Sequence, residues 1–109
     1  MVVLEPKDTD EFEKILKNAS KSKQMVVVDF FATWCGPCRM MGPKFHKMAE
    51  QYAEMIFVKL DVEEHEELVG EYDVKVMPTF VFIKNNDQVE MIEGNNEADL
   101  RAALEKHHK

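Results

Sequence analysis

Apolar positions along this chain recur with two different periods, and the change from one to the other separates its elements. Phe12, Ile15, Leu16 and Ala19 fall at i, i+3, i+4 and i+7, which predicts a helix with one buried face; Asp8, Thr9 and Asp10 are its candidate caps. Met25 to Phe31 is instead almost continuously apolar, which predicts a strand covered on both sides, interrupted only by Asp29. Helical spacing returns from Cys38 to about Glu54, with Met41, Phe45, Met48, Ala49 and Tyr52 along one face, and Pro43 inside it predicts a kink. Met55 to Val62 is a second apolar strand. Strand, helix and strand then make a right-handed crossover with parallel strands.

Val2 to Leu4 reads as a short edge strand closed by Glu5-Pro6, since a residue before proline prefers extended backbone. Glu63 to Glu67, with His65 among them, reads as the solvated start of a short helix through Leu68 and Tyr72, where carboxylates suit the positive end of the dipole. Metal binding by that run is the lesser reading, because adjacent helical residues point apart. Thr79 to Ile83 and Gln88 to Glu93 are two further strands, and the short Asn85-Asn86-Asp87 connection predicts an antiparallel hairpin. Gly94 ends it, Asn95 or Asn96 caps a last helix carrying Leu100, Ala103 and Leu104, and His107-His108-Lys109 reads as a frayed tail. Phe31, Met41, Phe45 and the methionines other than Met77 are assigned to core packing.

A length of 109 residues suits one domain, spanning residues 1–109, with its own core. The formal net charge of −7 disfavours nucleic-acid partners, whose phosphates need neutralising by Lys and Arg. No apolar run approaches the roughly 20 residues a membrane span needs, and the N-terminus lacks a basic region followed by an apolar one, so a cytoplasmic protein with no membrane association is expected. There, a lone cysteine pair is more often catalytic or metal-binding than structural.

Both cysteines and the only tryptophan stand together in Trp34-Cys35-Gly36-Pro37-Cys38, where the buried strand gives way to the helix. A helix start favours a thiolate through its unpaired N–H groups and dipole, and Pro37 fits just inside it. As a staple such a small loop would stabilise by only about 2 kcal/mol, against about 4 to 5 for a loop near 100 residues. Half of a zinc site lacks a second Cys-x-x-Cys to complete it. Redox chemistry is the reading adopted. Cys35, ahead of the first turn and expected to be exposed, would be the attacking thiolate; Cys38, one turn in and more buried, would resolve the mixed disulfide. Asp29, a carboxylate in an apolar strand, should have a raised pKa or a partner.

The Trp34-Cys35-Gly36-Pro37-Cys38 stretch after an apolar strand resembles the signature of the thioredoxin family, and Met77-Pro78-Thr79 resembles that family's cis-proline segment. The likeness runs from Val2 to about Lys106 and is to the cytosolic, animal-type members. It implies an α/β thioredoxin fold, a mixed sheet with a parallel core and an antiparallel C-terminal hairpin, flanked by helices on both faces. It implies a thiol-disulfide oxidoreductase that reduces protein disulfides, with the Cys35–Cys38 disulfide as its redox centre and no bound cofactor. Asp29 matches the family's buried aspartate, which helps to move the proton of the second cysteine, and Lys59 matches a lysine within its reach. Trp34, Gly36, Pro37, Met77, Pro78 and Gly94 would form a flat patch around Cys35 where an extended substrate pairs with the backbone. The implied partners are a flavin-containing thioredoxin reductase drawing on NADPH and substrates of the peroxiredoxin, ribonucleotide reductase or methionine sulfoxide reductase type, met by a monomer. Many relatives carry Trp or Tyr where this chain has Phe31, their hairpin has a glycine absent here, and some animal members have extra cysteines. Glutaredoxin-like use of glutathione, a disulfide isomerase or oxidant, and a redox-gated binding module are the competing functions.

Overall fold

The computed structural model describes residues 2–108. Its elements are β1 (Val3–Leu4), α1 (Thr9–Ser22), β2 (Val26–Phe31), α2 (Gly36–Gln51), β3 (Ile56–Asp61), α3 (Glu66–Glu71), β4 (Thr79–Lys84), β5 (Asp87–Glu93) and α4 (Glu97–His108). The five strands form one sheet in the order β1-β3-β2-β4-β5. β3 runs parallel to β1 and to β2, while β4 is antiparallel to β2 and to β5. Short hairpins allow only antiparallel neighbours, so the parallel β2–β3 pair depends on the crossover through α2.

The apolar runs in β2 and β4 are nearly continuous, broken in β2 only by Asp29, because each strand feeds two cores by simple alternation. Val27, Phe57, Phe80 and Phe82 pack under α2 and α4 with Met41, Phe45, Met48, Leu100 and Leu104. Val26, Val28, Phe30, Val58, Leu60 and Val81 pack on the opposite face against Phe12, Leu16 and Ala19 of α1 and Leu68 of α3. Each fully buried Phe or Leu contributes about 1.5–3 kcal/mol relative to exposure.

The caps hold these elements to length. Asp8 accepts the Glu11 N–H at 2.9 Å, and Lys23, with φ 59°, closes α1. Asn96, rather than Asn95, caps α4: its Oδ1 accepts the Asp99 N–H at 3.3 Å. Asn85 and Asn86 both have positive φ, 52° and 67°, as a two-residue primed turn requires, a conformation asparagine tolerates. α2 runs as one helix through Pro43. Gly42 has no Cβ to collide with the Pro43 ring, and Pro43 itself faces solvent.

Three expectations are corrected. The frayed tail is helical to His108: His107 Nε2 lies 2.7 Å from Glu90 Oε1, its ring packs 5.4 Å from that of Phe82, and His108 meets Glu54; Lys109 lies outside the described residues. His65 is buried rather than part of a solvated run, because it precedes α3 and borders a cavity shared with Phe31 and the Glu5-Pro6-Lys7 segment. Met40 is exposed and not core, because it lies on the outer side of α2, one residue before the inward-facing Met41.

Candidate active site

The end of β2 delivers the chain, through Ala32, Thr33 and Trp34, to the amino end of α2. Cys35 is the N-cap there, with extended backbone at φ −87° and ψ 115°. Its Sγ accepts the Cys38 N–H at 3.2 Å, the contact a capping oxygen usually makes. Pro37 occupies the first turn, where a missing N–H costs nothing. Cys35 and Cys38 are joined in a disulfide with Cα atoms 5.2 Å apart. An anion formed at Cys35 Sγ on reduction would therefore sit against free N–H groups and the positive end of the helix dipole.

The expected exposure of Cys35 is not what this oxidised form has. Cys35 is 7% exposed and Cys38 is 4% exposed. Cys35 is covered because Met77 and Phe31 pack against the small cluster of Ala32, Cys35 and Cys38, and the Met77 carbonyl oxygen lies 3.8 Å from Cys35 Sγ. The order of accessibility survives only as a narrow difference between two buried sulfurs.

The Met77–Pro78 peptide bond is cis. Its segment is tied down on both sides: Thr79 Oγ1 donates to the Val76 carbonyl at 2.6 Å, and Gly94 N–H donates to the Pro78 carbonyl at 2.8 Å. Gly94 has φ 86°, a conformation that favours glycine. Trp34 is 63% exposed and so is not part of the core, and Val76 is exposed as well. Solvent-exposed tryptophan beside a buried disulfide makes an apolar rim suited to a protein partner.

On the far side of the disulfide, Cys38 shares a cavity of about 440 Å³ with Asp29, Phe31, Phe45 and Lys59. Asp29 is 3% exposed, and its Oδ1 has no hydrogen-bond partner. Burial pushes its pKa up to about 7, and the Lys59 ammonium acts in the opposite direction. Asp29 and Lys59 are register partners across the β2–β3 pair. The Lys59 Nζ nevertheless lies 5.0 Å over the centre of the Phe31 ring. A carboxyl group poised near neutrality beside a cysteine can accept and return a proton at ordinary pH.

Among the described residues no group of three His, Cys, Asp or Glu side chains could hold a metal ion, and no helix is long and apolar enough to cross a membrane. Sequence reasoning missed His65, whose buried Nδ1 lacks a partner. Nothing in a run of charged residues distinguishes it from its solvated neighbours.

Comparison with known proteins agrees with this geometry. The family model described as Thioredoxin matches residues 3–106. The chain is 44% identical to a thioredoxin of Ophiophagus hannah over 100 residues, 92% of this chain and 93% of that one. It is 41% identical to thioredoxin-1 of Caenorhabditis elegans, covering 89% of this chain and 83% of that one. Among solved structures, Fasciola hepatica thioredoxin superposes with a TM-score of 0.90 at 39% identity, covering 95% of this chain and 98% of that one. With its helix-capping cysteine pair and this likeness over nearly its whole length, the chain belongs to the thioredoxin family and is a thiol-disulfide oxidoreductase.

Proposed function

We propose that the whole chain acts as one unit, a cytoplasmic monomer that reduces disulfides in other proteins and so maintains the cellular thiol balance. The observation that carries this is the placement of Cys35 as the N-cap of α2, its Sγ against a backbone N–H and beside the Met77 carbonyl. In the reduced protein the Cys35 thiolate attacks one sulfur of a substrate disulfide. A Cys35–substrate bond forms, the substrate S–S bond breaks, and the departing thiolate takes a proton. Cys38 then loses its proton to Asp29 and attacks Cys35 Sγ. The Cys35–Cys38 bond forms as the Cys35–substrate bond breaks, the second substrate thiolate leaves and takes a proton from solvent, Asp29 in turn gives up its own, and two electrons have passed from the protein to the substrate.

Trp34, Gly36, Pro37, Met77, Pro78 and Gly94 are the proposed docking surface, with the backbone at Met77 pairing with an extended substrate segment. Lys59 tunes Asp29. Peroxiredoxins, ribonucleotide reductase and methionine sulfoxide reductases are the substrate classes the family likeness favours. Regeneration would come from an NADPH-dependent, flavin-containing thioredoxin reductase. Reductase docking of some kind is in keeping with a similar structure, 36% identical with a TM-score of 0.91, whose description is a complex of ferredoxin:thioredoxin reductase and thioredoxin f2.

Insulin reduction driven by dithiothreitol tests the reading. Many turnovers per molecule are expected, and Cys38→Ser should accumulate a covalent adduct through Cys35. Stoichiometric reduction without turnover would favour a binding module, and an adduct trapped by Cys35→Ser instead would reverse the roles.

A further inference from the structure

On the face of the sheet beneath the disulfide, Asp29 and Phe31 alternate along β2 while Lys59 stands opposite Asp29 on β3. Lys59 thus has two neighbours of different chemistry on one face, a carboxylate directly across and an aromatic ring one pair further on. Its ammonium lies over the ring, 5.0 Å from the centroid, and makes no ion pair within 4.0 Å of Asp29. Asp29 Oδ1 correspondingly has no donor.

We infer that Phe31 is a positioning residue: its ring holds the Lys59 ammonium away from Asp29, leaving the carboxyl group unpaired and able to exchange a proton with Cys38. A cation over a ring face is attracted by the ring quadrupole, and burial from water strengthens that attraction. A lysine free to swing back would stabilise the carboxylate form and draw the Asp29 titration to lower pH. The other charged or titratable groups bordering the cavity are Glu5 ahead of α1 and Arg39 and His46 on α2, besides Cys38 itself. Lys59 and Phe31 also border a second cavity with Lys7, Asp61, Glu64 and His65, and Asp61 follows Lys59 on the same face of β3, opposite Phe31; the Lys59→Met background therefore separates the ring's hold on the ammonium from any effect of these groups.

This inference rests on the proposed proton role of Asp29, and its test reads Asp29 directly. The titration of the Asp29 carboxyl carbon would be followed by NMR in the oxidised protein, where the cysteines do not titrate. Phe31→Leu should lower the midpoint by about half a pH unit, roughly a threefold change in the protonation equilibrium. Phe31→Trp should hold or raise it. Neither change should move the midpoint in a Lys59→Met background. A midpoint unmoved by Phe31→Leu, or moved equally with Lys59→Met in place, overturns the inference. Should Phe31→Leu not fold, Phe31→Trp decides alone: a drop in the midpoint overturns the inference, as does an equal shift with and without Lys59. Turnover of Asp29→Asn is scored separately. If turnover is unimpaired while the midpoints behave as stated, the proton role falls and the positioning of Lys59 stands.

Discussion

Gly94 donates its backbone N–H to the carbonyl oxygen of Pro78 at 2.8 Å, fastening the residue after β5 to the segment that covers Cys35. A Cβ built on Gly94 meets nothing within 4 Å, so crowding is not what requires glycine; the φ of 86° is. Gly94→Ala should therefore cost about 1–2 kcal/mol in backbone energy alone. Chemical denaturation measures that cost. Loosening this tie should also raise KM for a protein disulfide several-fold while leaving a small-molecule disulfide less affected, which steady-state assays with both substrates would separate.

Asp29 makes stability depend on pH. Its pKa rises on folding from 3.8 to about 7, chiefly through burial, so between those values the native state binds more protons than the unfolded state. The unfolding free energy then falls as pH rises through that window and levels off above it. Asp29→Asn should be more stable than the parent at pH 8.5, by an amount of order 4 kcal/mol at most, with the gap closing near pH 4. Urea midpoints of the oxidised proteins at several pH values test this. A parent protein more stable than the variant at pH 8.5 would mean that the carboxylate is satisfied in the folded state.

Gly70 is exposed near the end of α3, and a Cβ there meets nothing within 4 Å. Its φ is not in the left-handed region, so Gly70→Ala should stabilise by about 0.5–1 kcal/mol through the unfolded chain. Thermal unfolding would show the gain as a higher Tm. Gly42 does not offer the same gain, since it precedes Pro43 inside a helix, where an added Cβ opposes the proline ring.

His107 joins the end of α4 to β5 through Glu90 at 2.7 Å and covers the Phe82 ring. The hydrogen bond from His107 is the main cause holding the Glu90 carboxyl below its usual range. His107→Ala should cost about 1 kcal/mol. Glu90→Gln should add little in that background, a double-mutant cycle that equilibrium denaturation can close. Additive costs would show that the two residues act independently.

The order and type of the elements were legible in the sequence because the signals are local. Helical spacing in Phe12 to Ala19, nearly continuous apolar runs in β2 and β4, and capping chemistry at Asp8 and at Asn95 or Asn96 depend on residues a few positions apart. So did the position of the cysteines, since the turn from a buried strand into a helix is written between Phe31 and Cys38. What lay beyond the sequence depended on residues that meet only after folding. Packing placed the Lys59 ammonium over the Phe31 ring, a contact the resemblance did not imply, and the distant Met77 segment buried a cysteine expected to be exposed. Packing against β5 turned an expected loose tail into the last turn of α4. Local pattern decides which faces are apolar. Only the assembled sheet decides which charged or reactive group each face finds as its neighbour, and that depends on long-range register.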